Sequence, residues 1–349
     1  MKLGLIIYGS LNMLSGGYLY DRKLVEYLRI HGDTVEIISL PWRNYAAHLT
    51  DNISFKLPGN FDILIQDELN HPSLIAANLG KHPCPVVSIV HHLRCSELRP
   101  EWQYELYRVL ERKYLQSVDG FIFNSQTTKR VVNGLTKNSK PGVVANPPTD
   151  RFGEAISEKE IKARAIQNPL RILFLGNIIE RKGLHILLEA LRPLTFDLKL
   201  DVVGSLTTDL NYAKQMQEFV MASGLSSIVK FQSSLDNEPL KQKLQQAHIL
   251  IVPSSYEGFG IVYLEGMCFG LPAIGTTAGA AGEIIEHGKT GYLIETGDSV
   301  TLATYISQLA SDRNLLTQLS LNARERYIQQ PPWNETANQI RTFLRSMVE

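Results

Sequence analysis

Glu257 and Glu265 stand eight positions apart across EGFGIVYLE, a run otherwise made of glycine and apolar side chains. An ionised carboxylate only accepts hydrogen bonds, so each suits a ligand that offers hydroxyls. Ile261, Tyr263, Leu264 and Met267 recur at helical spacing, which predicts a helix opening just after Gly258, Phe259 and Gly260. The start of such a helix presents unpaired N–H groups and a positive dipole end, which suit a phosphate. Glu265, inside the helix, is then placed for a ribose diol, and Glu257, at its mouth, for sugar hydroxyls. The plainer alternative is a β–α–β unit with two solvated glutamates. A second candidate is the turn GNIIERKG at 176–183, where Arg181 and Lys182 follow a strand and precede a helix. That geometry also handles phosphate, though a solvated Arg–Lys pair would look the same. A third is the pair His91 and His92 after the apolar run 86–90. Two adjacent side chains on an extended backbone point opposite ways. A metal would need further ligands, and none is near in sequence, so no metal is expected.

These residues need a scaffold that brings strand ends together. In the C-terminal half, 249–252 reads as a strand buried on both faces and closed by Pro253. Gly270 ends the helix after it, Pro272 follows, and 271–274 is the next strand. Further strands are predicted at 171–175, 198–203, 228–231 and 291–294, separated by helical segments. The N-terminal half repeats the scheme with strands at 2–7, 34–40, 61–66, 86–90, 120–123 and 142–145. Alternating strand and helix is the doubly wound α/β pattern, whose ligands sit at the carboxyl ends of strands. On that rule Asp67, Glu68, Arg94 and Glu97 are plausible acceptor contacts, although loop carboxylates in water are the blander reading. Gly16 and Gly17, after the first strand, either let backbone approach a ligand or simply make a tight turn. The segment 100–116 is helical, with acidic and basic residues mixed among aromatics, and is expected to pack with a solvated face. Asn146–Pro147–Pro148 stops the first half, and 153–168 is polar without strand character. The expected domains are 1–165 joined by 331–349, and 166–330.

Composition excludes several classes. At 349 residues the chain has material for two cores. Lys plus Arg equals Asp plus Glu, 35 each, so nothing on this scale suits a nucleic acid. Cys84, Cys95 and Cys268 lack metal or disulfide spacing, which fits a reducing, cytoplasmic setting. The apolar run at 3–7 is too short for a signal peptide, and no run approaches the ~18 residues of a membrane span.

The stretch EGFGIVYLEGMCFGLPAIGTTAGAAGEII, with GE at 282–283 and TG at 290–291, is similar to the E-x7-E signature of retaining GT-B glycosyltransferases, specifically glycosyltransferase family four. The resemblance implies a GT-B fold: two Rossmann-like domains facing a central cleft, the first on the acceptor side, the second binding a nucleotide-sugar donor. It implies transfer of a hexosyl unit to an acceptor hydroxyl with retention, from a UDP-sugar by preference and a GDP-sugar next, as in glycan, glycolipid or cell-envelope polysaccharide synthesis. The family usually reads G-R-L-x-x-x-K-G where this chain has Gly176, Asn177, Ile178 and then Lys182–Gly183. Asn177 replaces the arginine, and Arg181 beside Lys182 is the candidate for the missing charge. The resemblance implies Gly17, Asn177, Arg181, Lys182, Gln232, Glu257, Gly258, Phe259, Gly260, Ile261 and Glu265 around the donor, and His91, Lys182 and Glu257 in catalysis. His91 matches the family's strand-end histidine, whereas His92 stands where aspartate is usual. A neutral His91 would contact the transferred sugar. Lys182 and the N–H groups near Phe259 and Gly260 would meet the charge growing on the departing diphosphate. No cofactor and no metal are implied. The acceptor, whether glycan, lipid-linked or small molecule, is unspecified, and peripheral membrane association is compatible with it. Rival readings are a GT-B sugar-nucleotide epimerase or phosphorylase, and a non-catalytic sugar-nucleotide binder. A C-terminal segment with Trp333 resembles the family's crossover back to the first domain.

Overall fold

Two parallel sheets of six strands carry the chain in a computed structural model that describes residues 1–13, 15–137 and 140–349. The chain divides into two units, Met1–Pro148 with Pro331–Glu349, and Thr149–Gln330.

The first unit holds β1 (Lys2–Tyr8), β2 (Thr34–Leu40), β3 (Ile63–Asp67), β4 (Val86–Val90), β5 (Gly120–Phe123) and β6 (Gly142–Val144). Their spatial order is β2-β1-β3-β4-β5-β6, all parallel. β3 and β4 are buried along their whole length, as the uninterrupted apolar runs require when helices cover both faces. The order reverses between β1 and β3, so the carboxyl ends of these strands open the crevice where such sheets take ligands. Ser15 caps the helix Gly16–Ile30, its side chain accepting from the Tyr18 N–H. Gly16 and Gly17 are therefore the first helical turn rather than a free loop. The closing helix Trp333–Ser346 packs Trp333, Ile340 and Leu344 into this unit's core beside Tyr20 and Leu24. In the helix Glu101–Ser117 only Glu111, Tyr114 and Leu115 are buried. Its solvated face is more apolar than the mixed charges suggest, with Trp102, Leu106 and Val109 exposed at helical spacing.

The second unit holds β7 (Leu170–Leu175), β8 (Leu198–Val203), β9 (Val229–Gln232), β10 (Ile249–Ile251), β11 (Ala273–Thr276) and β12 (Gly291–Ile294). Their order is β12-β11-β10-β7-β8-β9, with reversal between β7 and β10. Residues 149–165 join this unit, and so the boundary falls well before the expected 165. The polar stretch hides two apolar anchors: Ile161 is fully buried and the Ile156 N–H donates to the Cys268 carbonyl. Ser157 and Glu160 form a capping box that starts the helix Glu158–Ala165, and Arg164 donates to the carbonyls of Phe269 and Gly270. Among the described residues, no helix is long and apolar enough to cross a membrane.

Candidate active site

The reversal point of the second sheet brings Lys182 to Glu257. After β7 the chain makes a tight turn, Glu180–Lys182, that ends at Gly183. Gly183 has φ +72°, and a Cβ there would lie 2.1 Å from the Pro253 carbonyl oxygen. Only glycine lets this turn press against the end of β10. Lys182 then donates to Glu257 Oε1 at 2.5 Å, and the Ser254 hydroxyl donates to the same oxygen at 2.5 Å. Both bonds fall on Oε1, so Oε2 carries neither. Ser254 is fully buried and its carbonyl accepts from Thr276. The Glu257 carbonyl accepts from the Ala280 N–H at 2.8 Å, beside Gly279, whose φ of +79° allows that close approach. Arg181 donates to the Tyr256 carbonyl at 2.8 Å, and its own carbonyl accepts from the Ser255 N–H. Arg181 thus braces the loop that carries Glu257. Burial alone would raise the Glu257 pKa. The charges of Lys182 and Arg181, with the hydrogen bonds from Lys182 and Ser254, bring it down to about 2. Burial holds the Lys182 ammonium below the usual lysine range, against the pull of Glu257. Glu257 is ionised across the neutral range.

Gly260, at φ +92°, starts the helix Ile261–Cys268. Phe259 is buried in the core, so it can offer a ligand only its backbone; Ile261 is half-buried. Glu265 lies within the helix, 3% exposed, and burial lifts its pKa above the usual carboxylate value. Arg151 opposes that lift, donating to Glu265 Oε1 at 2.9 Å. Arg151 Nε also donates to Asn237 Oδ1 at 3.0 Å, and its guanidinium lies over the Phe152 ring. Gln232, at the end of β9, donates to Asp201, which also accepts from Lys243 at 2.9 Å. Asn177 accepts at its carbonyl from the Ile179 N–H, inside the turn after β7. The structure therefore gathers Arg181, Lys182 and Glu257 with Gly258, Phe259 and Gly260, and joins Glu265 through Arg151 to the start of the helix Asn237–Gln246. Gln232 is held in a separate polar cluster.

In the first unit, His91 sits at the end of β4, beside the reversal point. Its Nε2 meets Asp21 Oδ1 at 3.1 Å, and its N–H donates to Glu68 Oε2 at 3.0 Å. The His92 N–H donates to the same Glu68 oxygen, and its ring meets Glu97 at 2.8 Å. A Cβ on Gly17 would lie 3.3 Å from the His91 ring, so Gly17 makes room for the imidazole. A cavity of about 200 Å³ here is lined by Ser15, Gly17, Asp67, His91, His92 and Arg94, among others. The fold sets His91, expected to be neutral, among three carboxyl groups. Burial alone would lower its pKa, but the charge and hydrogen bond of Asp21, with Asp67 and Glu68 nearby, lift it to about 9. Burial and the Asp21 charge push Asp67 up to about 7, and burial with the Asp67 charge pushes Glu68 well above the carboxylate range. The sequence offered no metal ligands near His91; the fold supplies Asp21 and Asp67, whose ligand atoms lie within 4.8 Å of one another and of the imidazole.

Three of these residues were not singled out from the sequence. Asp21 left a signal: it shares a helix face with Leu24 and Leu28, and an acid in an apolar stripe needs a partner. Ser254 stood in the motif as an ordinary turn residue. Arg151 left none.

A family model described as glycosyl transferases group 1 matches residues 156–326. The chain is 26% identical over 293 residues to the capsular polysaccharide biosynthesis glycosyltransferase CapM of Staphylococcus aureus, covering 78% of this chain and 73% of that protein. Among solved structures it is similar to a sucrose-phosphate synthase from Thermosynechococcus elongatus, with TM-score 0.82, 19% identity, and coverage of 99% and 98%. It is also similar to HepE of Anabaena in complex with UDP and glucose, with TM-score 0.76, 20% identity, and coverage of 99% and 100%.

Proposed function

The chain belongs to the group 1 glycosyl transferases, family four, with their GT-B fold of two Rossmann-like domains, and on that footing we propose that it moves a hexosyl unit from a UDP-sugar to an acceptor hydroxyl with retention at the anomeric carbon. The observation that carries this reading is the preset group at the β7/β10 reversal. A lysine and a buried ionised glutamate meet there, with a second buried glutamate inside the helix Ile261–Cys268 that follows. In this reading the second unit binds the donor. Glu265 accepts from the ribose diol while Arg151 opposes its protonation. Glu257 Oε2 accepts from hydroxyls of the donor sugar. Lys182 gives its charge to the diphosphate as the bond to the anomeric carbon breaks, which is where transition-state charge grows. The acceptor oxygen bonds to the anomeric carbon on the face the diphosphate leaves, and its proton passes to the departing phosphate oxygen. The first unit takes the acceptor, with His91 directed to the transferred sugar.

Support for a uridine donor comes from HepE, which was crystallised with UDP-glucose. Support for an envelope polysaccharide or a lipid-linked acceptor comes from CapM, named for capsule synthesis, and from the exposed Trp102, Leu106 and Val109 of the first unit. The test is a thermal-shift series against UDP-, GDP- and ADP-sugars, followed by product analysis. A ligand at a hundredfold excess over Kd stabilises by about 2.7 kcal/mol. UDP-sugars are expected to give the largest shift; a larger shift with GDP- or ADP-sugars would change the donor. Stabilisation by no sugar nucleotide would overturn the reading.

A further inference from the structure

We propose that Arg94 is an anion-binding site for the acceptor, so that the molecule receiving the sugar carries a phosphate or carboxylate group. The proposal rests on the glycosyltransferase reading and names the class of its acceptor.

The sheet and one buried acid set the place of Arg94. β4 ends at Val90, and the chain then makes a short turn, Arg94–Ser96. Leu93 and Cys95, on either side of Arg94, are buried and anchor the backbone, whereas Arg94 itself is half-buried. Glu111 lies fully buried in the helix Glu101–Ser117. It accepts from the Arg94 N–H at 2.6 Å and, on its other oxygen, from the Cys95 N–H at 3.0 Å. Both oxygens of this carboxylate thus hold the backbone of the turn.

The guanidinium rests on aromatic rings instead. Its Cζ lies 5.2 Å from the centroid of the Tyr45 ring and 5.7 Å from that of Tyr107. The two rings meet edge to face with centroids 4.9 Å apart, and the Tyr45 hydroxyl is held by His71 Nε2 at 2.8 Å. A cation over a ring is attracted by the charge distribution of the ring and spends no N–H group. Among the described residues the Arg94 guanidinium donates to no protein acceptor and forms no ion pair. It is a positioned planar fork with all five donors unspent. A phosphate or carboxylate matches that fork by taking two parallel hydrogen bonds.

The neighbouring charges fix the sign of the ligand. Arg94 lines the cavity of about 200 Å³ together with the acids Asp67, Glu68 and Glu97. Each of these acids is engaged with the protein. Asp67 accepts from the Leu69 N–H, and Glu68 accepts from the N–H groups of His91 and His92. Glu97 meets the His92 ring and accepts from Arg99. The cation of Arg94 is the charge on the cavity wall that the protein leaves for a ligand. Arg99 adds to it, with its own guanidinium 5.2 Å from the Tyr107 ring and its Nε buried without a hydrogen-bond partner.

The first test needs no acceptor. Inorganic phosphate is titrated into the full chain in the presence of saturating UDP, and the Arg94 Nε–H signal, identified by its loss in Arg94→Lys, is followed by NMR. A saturable shift of that signal is expected; no response to phosphate would overturn the proposal. The same shift in a protein that binds no UDP would leave the anion site standing and defeat the proposed function. The second test is transfer from a UDP-sugar to a hexose, to the matching hexose 6-phosphate and uronic acid, and to a polyprenyl-phosphate-linked sugar in phosphatidylcholine vesicles. Charged acceptors are expected to exceed the neutral hexose by about tenfold or more in kcat/KM. Preference for the soluble members puts the anion on a free sugar, and preference for the vesicles puts it on a lipid carrier; either supports the proposal. Arg94→Gln is expected to remove the preference by raising the KM of the charged acceptor while UDP affinity holds, and Arg94→Lys to restore part of it. A neutral hexose used as well as the charged acceptors, or an Arg94→Gln that lowers kcat equally for all of them, would overturn the proposal. If Arg94→Gln does not fold, the phosphate titration of the wild type decides.

Discussion

The two units bury carboxylates at corresponding places, beside the reversal point of a parallel sheet, and treat them in opposite ways. In the second unit each glutamate has its own cation: Glu257 has Lys182, and Glu265 has Arg151. In the first unit Asp21, Asp67 and Glu68 crowd around a single histidine. The difference shows most clearly at Glu257, whereas Glu265 is still raised by burial against the pull of Arg151. Glu257 is pulled down to about 2, whereas Asp67 is pushed up to about 7. One site holds acceptors and a lysine ready for a ligand rich in hydroxyls and phosphate. The other sets three carboxyl groups around one imidazole. Buried ion pairs contribute little net stability, because desolvation offsets their attraction. The pairs in the second unit are better understood as devices that keep charge at defined positions.

Removing a cation from the second unit should make it behave like the first. The largest effect is expected from Lys182→Met, which strands Glu257 beside Ser254 with only Arg181 left to balance it. Stability should fall by about 3 kcal/mol in chemical denaturation, and turnover by on the order of 100-fold or more. In the wild type the depressed pKa of Glu257 stabilises fully above the ordinary value of 4.5 and is lost as pH falls toward 2. The variant should lose that contribution at higher pH. The double variant Lys182→Met/Glu257→Gln should recover stability but not turnover. Unchanged turnover in Lys182→Met would show that the pair is structural only.

A smaller effect is expected from Arg151→Met. Burial already raises Glu265, and without Arg151 nothing offsets it. Donor KM should rise about tenfold, equivalent to about 1.4 kcal/mol, with kcat nearly kept. Because a protonated Glu265 can no longer accept both ribose hydrogen bonds, donor binding should weaken as pH falls, and the variant should show this at higher pH than the wild type. Arg151→Lys should restore part of the affinity. A donor KM that does not change, at any pH, would remove Arg151 from the site.

Much of the scaffold was legible because parallel strands buried on both faces read as unbroken apolar runs. The runs at 86–90 and 249–252 are the clearest cases, and both end at candidate site residues. The glycine-flanked helix after Glu257 was legible for the same local reason. What the sequence could not reveal is pairing over distance. Lys182 meets Glu257 across 75 positions, His91 meets Asp21 across 70, and Arg151 meets Glu265 across 114. No local pattern encodes such contacts, and the protonation of His91 depends on them. Gly17 shows the same dependence on distance: the sequence allowed either a ligand approach or a tight turn, and in the fold it lines the cavity beside the His91 ring. The unit boundary was missed because two isoleucines, Ile156 and Ile161, anchor a stretch whose composition is that of a linker.

The central claim is that the second unit keeps a buried carboxylate charged in order to hold a ribose. Calorimetric titration of UDP into the wild type and into Glu265→Gln tests it most directly. The account expects one site in the wild type and a loss of about 1.5–3 kcal/mol in the variant, the range for a hydrogen bond to a charged group. Equal affinity in the two proteins, or no binding of UDP by the wild type, would contradict it.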